Sequence, residues 1–400
     1  MKKQWSKISL IFLFLVALMG TLLRSIAFIQ QPFEYLNLVH AHSHVAFQGW
    51  VYTIMILLLT NIFLTEDQIK KGRYPLQFML TVFVVVGVMI SFSLQGYALY
   101  SIIFSTLFQL LNYWFIYRFL KDSRDLHGSF SHAISIRFVR TGLWLGLLST
   151  IMPLGIGILS AKGLSGSEAY QSLVYTFLHL QYNGWFLFVV LGLFFHLLDK
   201  NSIRYHQKYA TLFYWLLTIA VIPAIALSLL GMEFSTYVLA PAYLAFALTG
   251  GALLFFLIAL PRNLMASLKE KRNWFKLYLL AFLASFILKM ILQCLSVFPV
   301  FKPYAFFNKP IIIAYLHLSL IGSISFLFFA LMLDKKWLPL NRRVKLGSVL
   351  FILGFVATEL FLTFQGLGIY FSQIALMMGS SAMAMGVFLM ILSGVQNKAQ

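Results

Sequence analysis

The chain has 400 residues, of which 61% are hydrophobic, 17% aromatic and only 10% charged, and its mean hydropathy is +0.87. Soluble domains are about one-quarter charged, so this composition excludes a water-soluble globule and describes a chain solvated by lipid over most of its length. The formal net charge of +19 is spread between apolar runs rather than gathered on one face, which points to membrane topology and away from nucleic acid.

In chain order, Met1-Lys2-Lys3 leads into an apolar run that no small-x-small cleavage site closes, as in a retained signal anchor. A helix rises about 1.5 Å per residue and the hydrocarbon core is roughly 30 Å thick, so runs near 20 residues mark membrane spans. Twelve such runs appear, at about 8–28, 38–64, 76–92, 98–116, 141–159, 171–198, 209–230, 237–260, 274–297, 310–333, 346–364 and 367–391. The connections between them are short, so the expected fold is an all-α polytopic membrane protein, residues 1–400 forming one membrane domain of twelve transmembrane helices.

Lys and Arg in short loops stay on the cytoplasmic side. Lys2, Lys3, Lys7, Lys70, Lys71, Arg73, the basic residues of 118–140, Lys200, Arg204, Lys208 and those of 262–276 and 335–345 all fall on one side of the twelve-span chain. The opposite loops carry only Arg24, Lys162, Lys302 and Lys309, which predicts both termini inside and a multi-pass protein of the cell (inner) membrane. A single cysteine, Cys294, excludes an intrachain disulfide, a Cys-rich zinc site and an iron–sulfur cluster, leaving histidine or oxygen to hold any metal.

Ionisable side chains inside a bilayer are costly, so the exceptions to apolarity carry the information. Lys289 and Glu359 are the formal charges well inside spans, both in the outer half, and can pair with each other as a structural bridge. Of nine histidines, His127, His132, His196 and His206 lie at cytoplasmic edges, where solvation accounts for them. His40, His42 and His44 open the second span, His179 lies in the sixth and His317 in the tenth, all in the outer half. His44-Val-Ala-Phe-Gln-Gly49-Trp50 matches His179-Leu-Gln-Tyr-Asn-Gly184-Trp185 and, more loosely, His317-Leu-Ser-Leu-Ile-Gly322.

Each copy reads H-x4-G, and the offsets of 135 and 138 residues equal four spans, as three pseudo-repeats over about 1–133, 134–272 and 273–400 would produce. The glycine admits either a flat cofactor or a neighbouring helix. At about 100° per residue, His40 and His44 share a helix face and can chelate one ion, while His42 points nearly opposite. For His44, His179 and His317 the open readings are ligation of haem or copper, or else polar packing, capping or substrate binding; His40 can equally be the helix cap.

Twelve spans with histidines on the second, sixth and tenth resemble subunit I of the haem-copper oxidases and the related NnrS-type membrane proteins. His42-Ser43-His44 through Gly49 is similar to the HxHxxxxG motif of that superfamily, His40-Ala41-His42 to the HAHxxxxxG opening of the NnrS type, and His317 through Gly322 to its HxLxxG. The resemblance implies three four-helix arcs, haem between His42 or His44 and His317 with Arg24 or Lys289 on its propionates, and copper on His179 with His40 or His44. Respiratory or assembly subunits would be its partners. The seventh span has no histidine, Asn183 stands where a crosslinked tyrosine would, and acidic or polar residues marking a proton pathway from the cytoplasmic side are wanting, with little there beyond Asn112 and scattered hydroxyls. What is implied is therefore a haem- or copper-binding protein in respiratory, nitric-oxide-related or metal-handling chemistry rather than a proton-pumping oxidase. The competing expectation is a twelve-helix secondary transporter using the same outer-half polar cavity.

Overall fold

Apolar runs of this length have to satisfy their backbone internally in lipid, and helices do so within one segment. The computed structural model describes residues 2–30, 32–124, 133–233, 235–268 and 271–393; among them the chain is helical with no strand. His127 and His132 lie outside the described residues. Among the described residues, eleven helices are long and apolar enough to cross a bilayer. Six precede the seventh predicted span: α1 (Lys3–Ser25), α2 (Tyr35–Phe63), α3 (Tyr74–Gln95), α4 (Leu99–Asp122), α5 (Ile134–Ala161) and α6 (Glu168–Lys200).

The seventh predicted span, α7, is a broken segment, Gln207–Ala220 resuming as Ile225–Leu229. Pro223 explains the break: it has no N–H to offer the carbonyl four residues back, and its ring crowds the preceding turn. After it follow α8 (Thr236–Ala259), α9 (Asn273–Leu295), α10 (Lys309–Asp334), α11 (Arg342–Gly366) and α12 (Gln373–Leu392). Among the described residues, the twelve runs of the sequence thus meet eleven helices long and apolar enough to cross a bilayer and one shorter, interrupted segment.

The chain forms two compact units, one of Met1–Ser123 with Phe328–Gln400, the other of Arg124–Leu327. In the first, α11 and α12 approach so closely that a Cβ on Gly347 would run into the Gly386 carbonyl oxygen and one on Gly354 would stand 2.5 Å from that of Gly379. Backbone contact of this kind is how small residues hold membrane helices together where no hydrophobic force acts between them. In the second, Phe138, Phe188, Phe195 and Phe213 form an aromatic core joining α5, α6 and α7. Burial is uneven: 72% of the central window of α2, 83% of α6 and 72% of α10 is enclosed by protein, against 50% or less in every other long helix. These three are the histidine-bearing helices.

Candidate functional site

The three H-x4-G segments share a local structure. Directly after each histidine the helix widens into π turns, at Val45–Val51, Leu180–Phe186 and Leu318–Ser325. Tyr52 N–H reaches the Phe47 carbonyl and Phe326 N–H that of Ile321, each five residues back. A π turn loosens carbonyls that side chains then take up. The Thr53 hydroxyl donates to the Gly49 carbonyl, and Ser323 and Ser325 donate to Leu318 and Leu320 at 3.2 and 2.8 Å.

The motif glycine has the same role each time. A Cβ on Gly49 would meet Phe12 of α1 at 3.0 Å, on Gly184 Leu145 of α5 at 3.2 Å, and on Gly322 Ser285 of α9 at 2.6 Å. Each glycine therefore seats the second helix of a four-span set against the first, which favours helix packing over cofactor approach at that position.

In the first unit the head of α2 carries three histidines. His42 donates Nδ1–H to the Val16 carbonyl of α1 at 3.0 Å, its ring lying beside Gly20. This tautomer makes Nε2 the lone-pair atom, the way ligating histidines are usually oriented. On the other face, His40 and His44 both bear on Tyr97, with ring centroids 4.7 and 5.8 Å away. His44 Nε2 is 3.0 Å from the Tyr97 hydroxyl, Gln48 Nε2 approaches His44 Nδ1 at 3.4 Å, and the imidazole stacks on Phe92 at 4.1 Å.

Tyr97 reaches α2 through a turn at Gly96, whose φ of +61° L-residues rarely adopt and whose missing side chain admits Asn37 Oδ1. Gln48 Oε1 is buried without a hydrogen-bond partner. Rotating that amide would let Oε1 accept an Nδ1–H, and Nε2 of His44 would become the lone-pair atom. Arg24, the expected propionate partner, lies in the field of the Glu359 carboxylate, and its own carbonyl accepts Gln373 Nε2 at 2.7 Å.

In the second unit His179 is fully engaged. Its Nε2–H donates to the Val221 carbonyl at 3.0 Å, and Nδ1 accepts from Asn183 Nδ2 at 3.2 Å. The acceptor exists because α7 breaks there: Ile225 N–H, which a continuous helix would give to Val221, turns to Ile222 instead at 3.1 Å. A buried imidazole thus caps an interrupted membrane helix. His317 heads the π segment of α10. Lys289 on α9, 2% exposed, donates to Gln293 Oε1 at 2.8 Å and lies within electrostatic reach of His179. Lys289 thus has Gln293 of its own helix as hydrogen-bond partner, and Glu359 lies in the field of Arg24.

The structure brings together His40 with His44, and His179 with Lys289; His42, His44 and Arg24 belong to the first unit, His179, His317 and Lys289 to the second. Among the described residues no three His, Cys, Asp or Glu side chains gather to hold a metal ion, so an ion on His40 and His44 would take Tyr97 or an external ligand as its third donor. Two imidazoles and a phenol could hold copper, and His42 could offer one imidazole to haem iron. Sequence reasoning missed Tyr97, which nothing in the spacing marks, and the α7 break, which Pro223 inside an apolar run does mark. No protein-family model matches the chain, and no curated protein matches it.

Proposed function

We propose that this multi-pass protein of the cell (inner) membrane binds copper or haem through the histidines at the head of α2, on a scaffold resembling haem-copper oxidase subunit I. It would serve respiratory, nitric-oxide-related or metal-handling chemistry beside other respiratory or assembly subunits. The observation that carries this reading is the division of the α2 head: His40 and His44 turned together onto Tyr97, and His42 held by the Val16 carbonyl on the opposite side. His40 and His44 would hold a copper ion and His42 would serve a haem iron; either group supplies one-electron redox chemistry.

The test is metal analysis and a visible spectrum on detergent-purified protein. Loss of at least about tenfold in bound copper on His40→Ala or His44→Ala, or of a Soret band on His42→Ala, supports the assignment. Full cofactor content in all three variants overturns it.

A second reading, secondary transport, is favoured by the interrupted α7 and the buried lysine beside its histidine cap, since discontinuous helices and intramembrane charges build transporter sites. A folded wild-type protein that is colourless and metal-free would favour it.

A further inference from the structure

We infer that the cytoplasmic end of α9 carries a binding groove for an anionic phospholipid, with Lys276 on the phosphodiester and Leu277, Leu280 and Met265 along an acyl chain. The groove lies wholly in the second unit, and the inference is independent of the α2 histidines.

The groove has a volume of about 550 Å³ and is lined by Met265, Asn273, Trp274, Lys276, Leu277 and Leu280. All but Met265 come from the opening turns of α9, and Met265 comes from a short helix, Leu264–Ser267, in the connection before it. Asn273, Lys276, Leu277 and Leu280 are spaced i, i+3, i+4 and i+7, so they share one face of the helix. That face is graded in polarity. An amide, an indole and an ammonium come first, and two leucines, 41% and 52% exposed, follow deeper in the span. Exposed leucines on a membrane helix meet acyl chains, so lipid fills a groove that they line. A phospholipid has the same order of polarity, charged at the surface and apolar toward the midplane, and tryptophan is at home on the boundary between the two.

Charge selects the headgroup. Residues 262–276 include five basic side chains, Arg262, Lys269, Lys271, Arg272 and Lys276, against one acidic, Glu270, which puts this end of α9 at the cytoplasmic surface. Among the described residues no carboxylate pairs with the Lys276 ammonium. Lys271 holds its Nζ 5.6 Å from the centroid of the Phe275 ring, beside the same opening turn. Arg272, the N-cap of α9, makes no side-chain cap, so the first amides of the helix add to the positive potential. A phosphodiester with net negative charge complements this end, whereas a zwitterionic headgroup brings its own cation with it.

The test uses the full-length protein in phosphatidylcholine vesicles doped with phosphatidylglycerol, the acyl chains of one lipid or the other being brominated at the same mole fraction. Bromine quenches an indole that it touches, and the quenching lost in Trp274→Phe is that of Trp274. The expected result is a preference for phosphatidylglycerol at Trp274 of at least about fivefold, which Lys276→Gln lowers by about that factor, the worth of one basic side chain at an anionic surface. Lys276→Arg keeps the charge and should keep the preference. Lys208→Gln removes the same charge from the opening turn of α7 and should leave the preference unchanged. Equal quenching by the two lipids in the wild type, or an unchanged preference in Lys276→Gln, overturns the inference. An equal loss in Lys208→Gln also overturns it, because the preference would then belong to the surface potential of the whole face and not to this groove.

Discussion

At the scale of single residues, imidazoles that look alike in sequence divide by what their two ring nitrogens meet. His179 gives both to the protein, Nε2–H to a helix carbonyl and Nδ1 to an amide, so it acts as a cap. Replacing it with leucine strands the Val221 carbonyl and the Asn183 amide in an apolar interior, at a cost of about 1–3 kcal/mol for a buried group left unpaired. His179→Leu is therefore expected to lower the unfolding midpoint in detergent while leaving copper content at the wild-type level; copper loss at an unchanged midpoint would show that His179 is a ligand. Tyr97→Phe makes the converse prediction. It removes the hydroxyl against His44 while keeping the aromatic contacts, so copper should fall with little change in midpoint. The histidines themselves were legible from the sequence, because ionisable groups in apolar runs stand out. Their partners were not: Val16 and Val221 contribute through backbone carbonyls, which no residue type announces, and Tyr97 is brought in by a glycine turn more than 50 residues away.

At the scale of elements, the twelve apolar runs gave the helices but said nothing of their interruptions. Hydropathy is indifferent to whether a turn is α or π, so the widening after His44, His179 and His317 was invisible, although the recurrent H-x4-G spacing marked where it occurs. The break in α7 has a mark in the sequence, Pro223, but its apolar neighbours hide it from hydropathy. It also sets a coupling that can be measured. Pro223→Ala restores an N–H, lets α7 continue, and returns Ile225 N–H to Val221, so the carbonyl no longer needs His179. In a double-mutant cycle the penalty of His179→Leu should shrink by about 1 kcal/mol in the Pro223→Ala background, and strictly additive midpoints would refute the capping role. A separate pair tests helix contact. Gly354→Val would drive its side chain into the Gly379 carbonyl, and separation of α11 from α12 should cost about 1–3 kcal/mol. The same substitution at Gly250, where nothing lies within 4 Å of a Cβ, should be tolerated.

At the scale of the whole molecule, the seventh segment decides the topology. Eleven crossings would place the two termini on opposite sides, whereas a broken α7 that still traverses the bilayer makes twelve and keeps both inside, as the alternation of basic loops requires. The segment is long enough: from Gln207 to Leu229 it includes two helical pieces whose exposed faces carry Trp215, Ile219 and Ile222, side chains suited to lipid. The native sequence is convenient for the test, since Cys294 is its only cysteine and is buried, so Cys294→Ser gives a background without thiols. Single cysteines at Ser202 and Glu233 flank α7. If the segment crosses, a membrane-impermeant maleimide added to intact cells labels Glu233→Cys and spares Ser202→Cys until the membrane is opened. Labelling of both from the same side would make α7 a re-entrant or surface element, reverse the orientation of every helix after it, and place the basic loop at Lys335 and Lys336 outside, against the charge rule that the rest of the chain obeys.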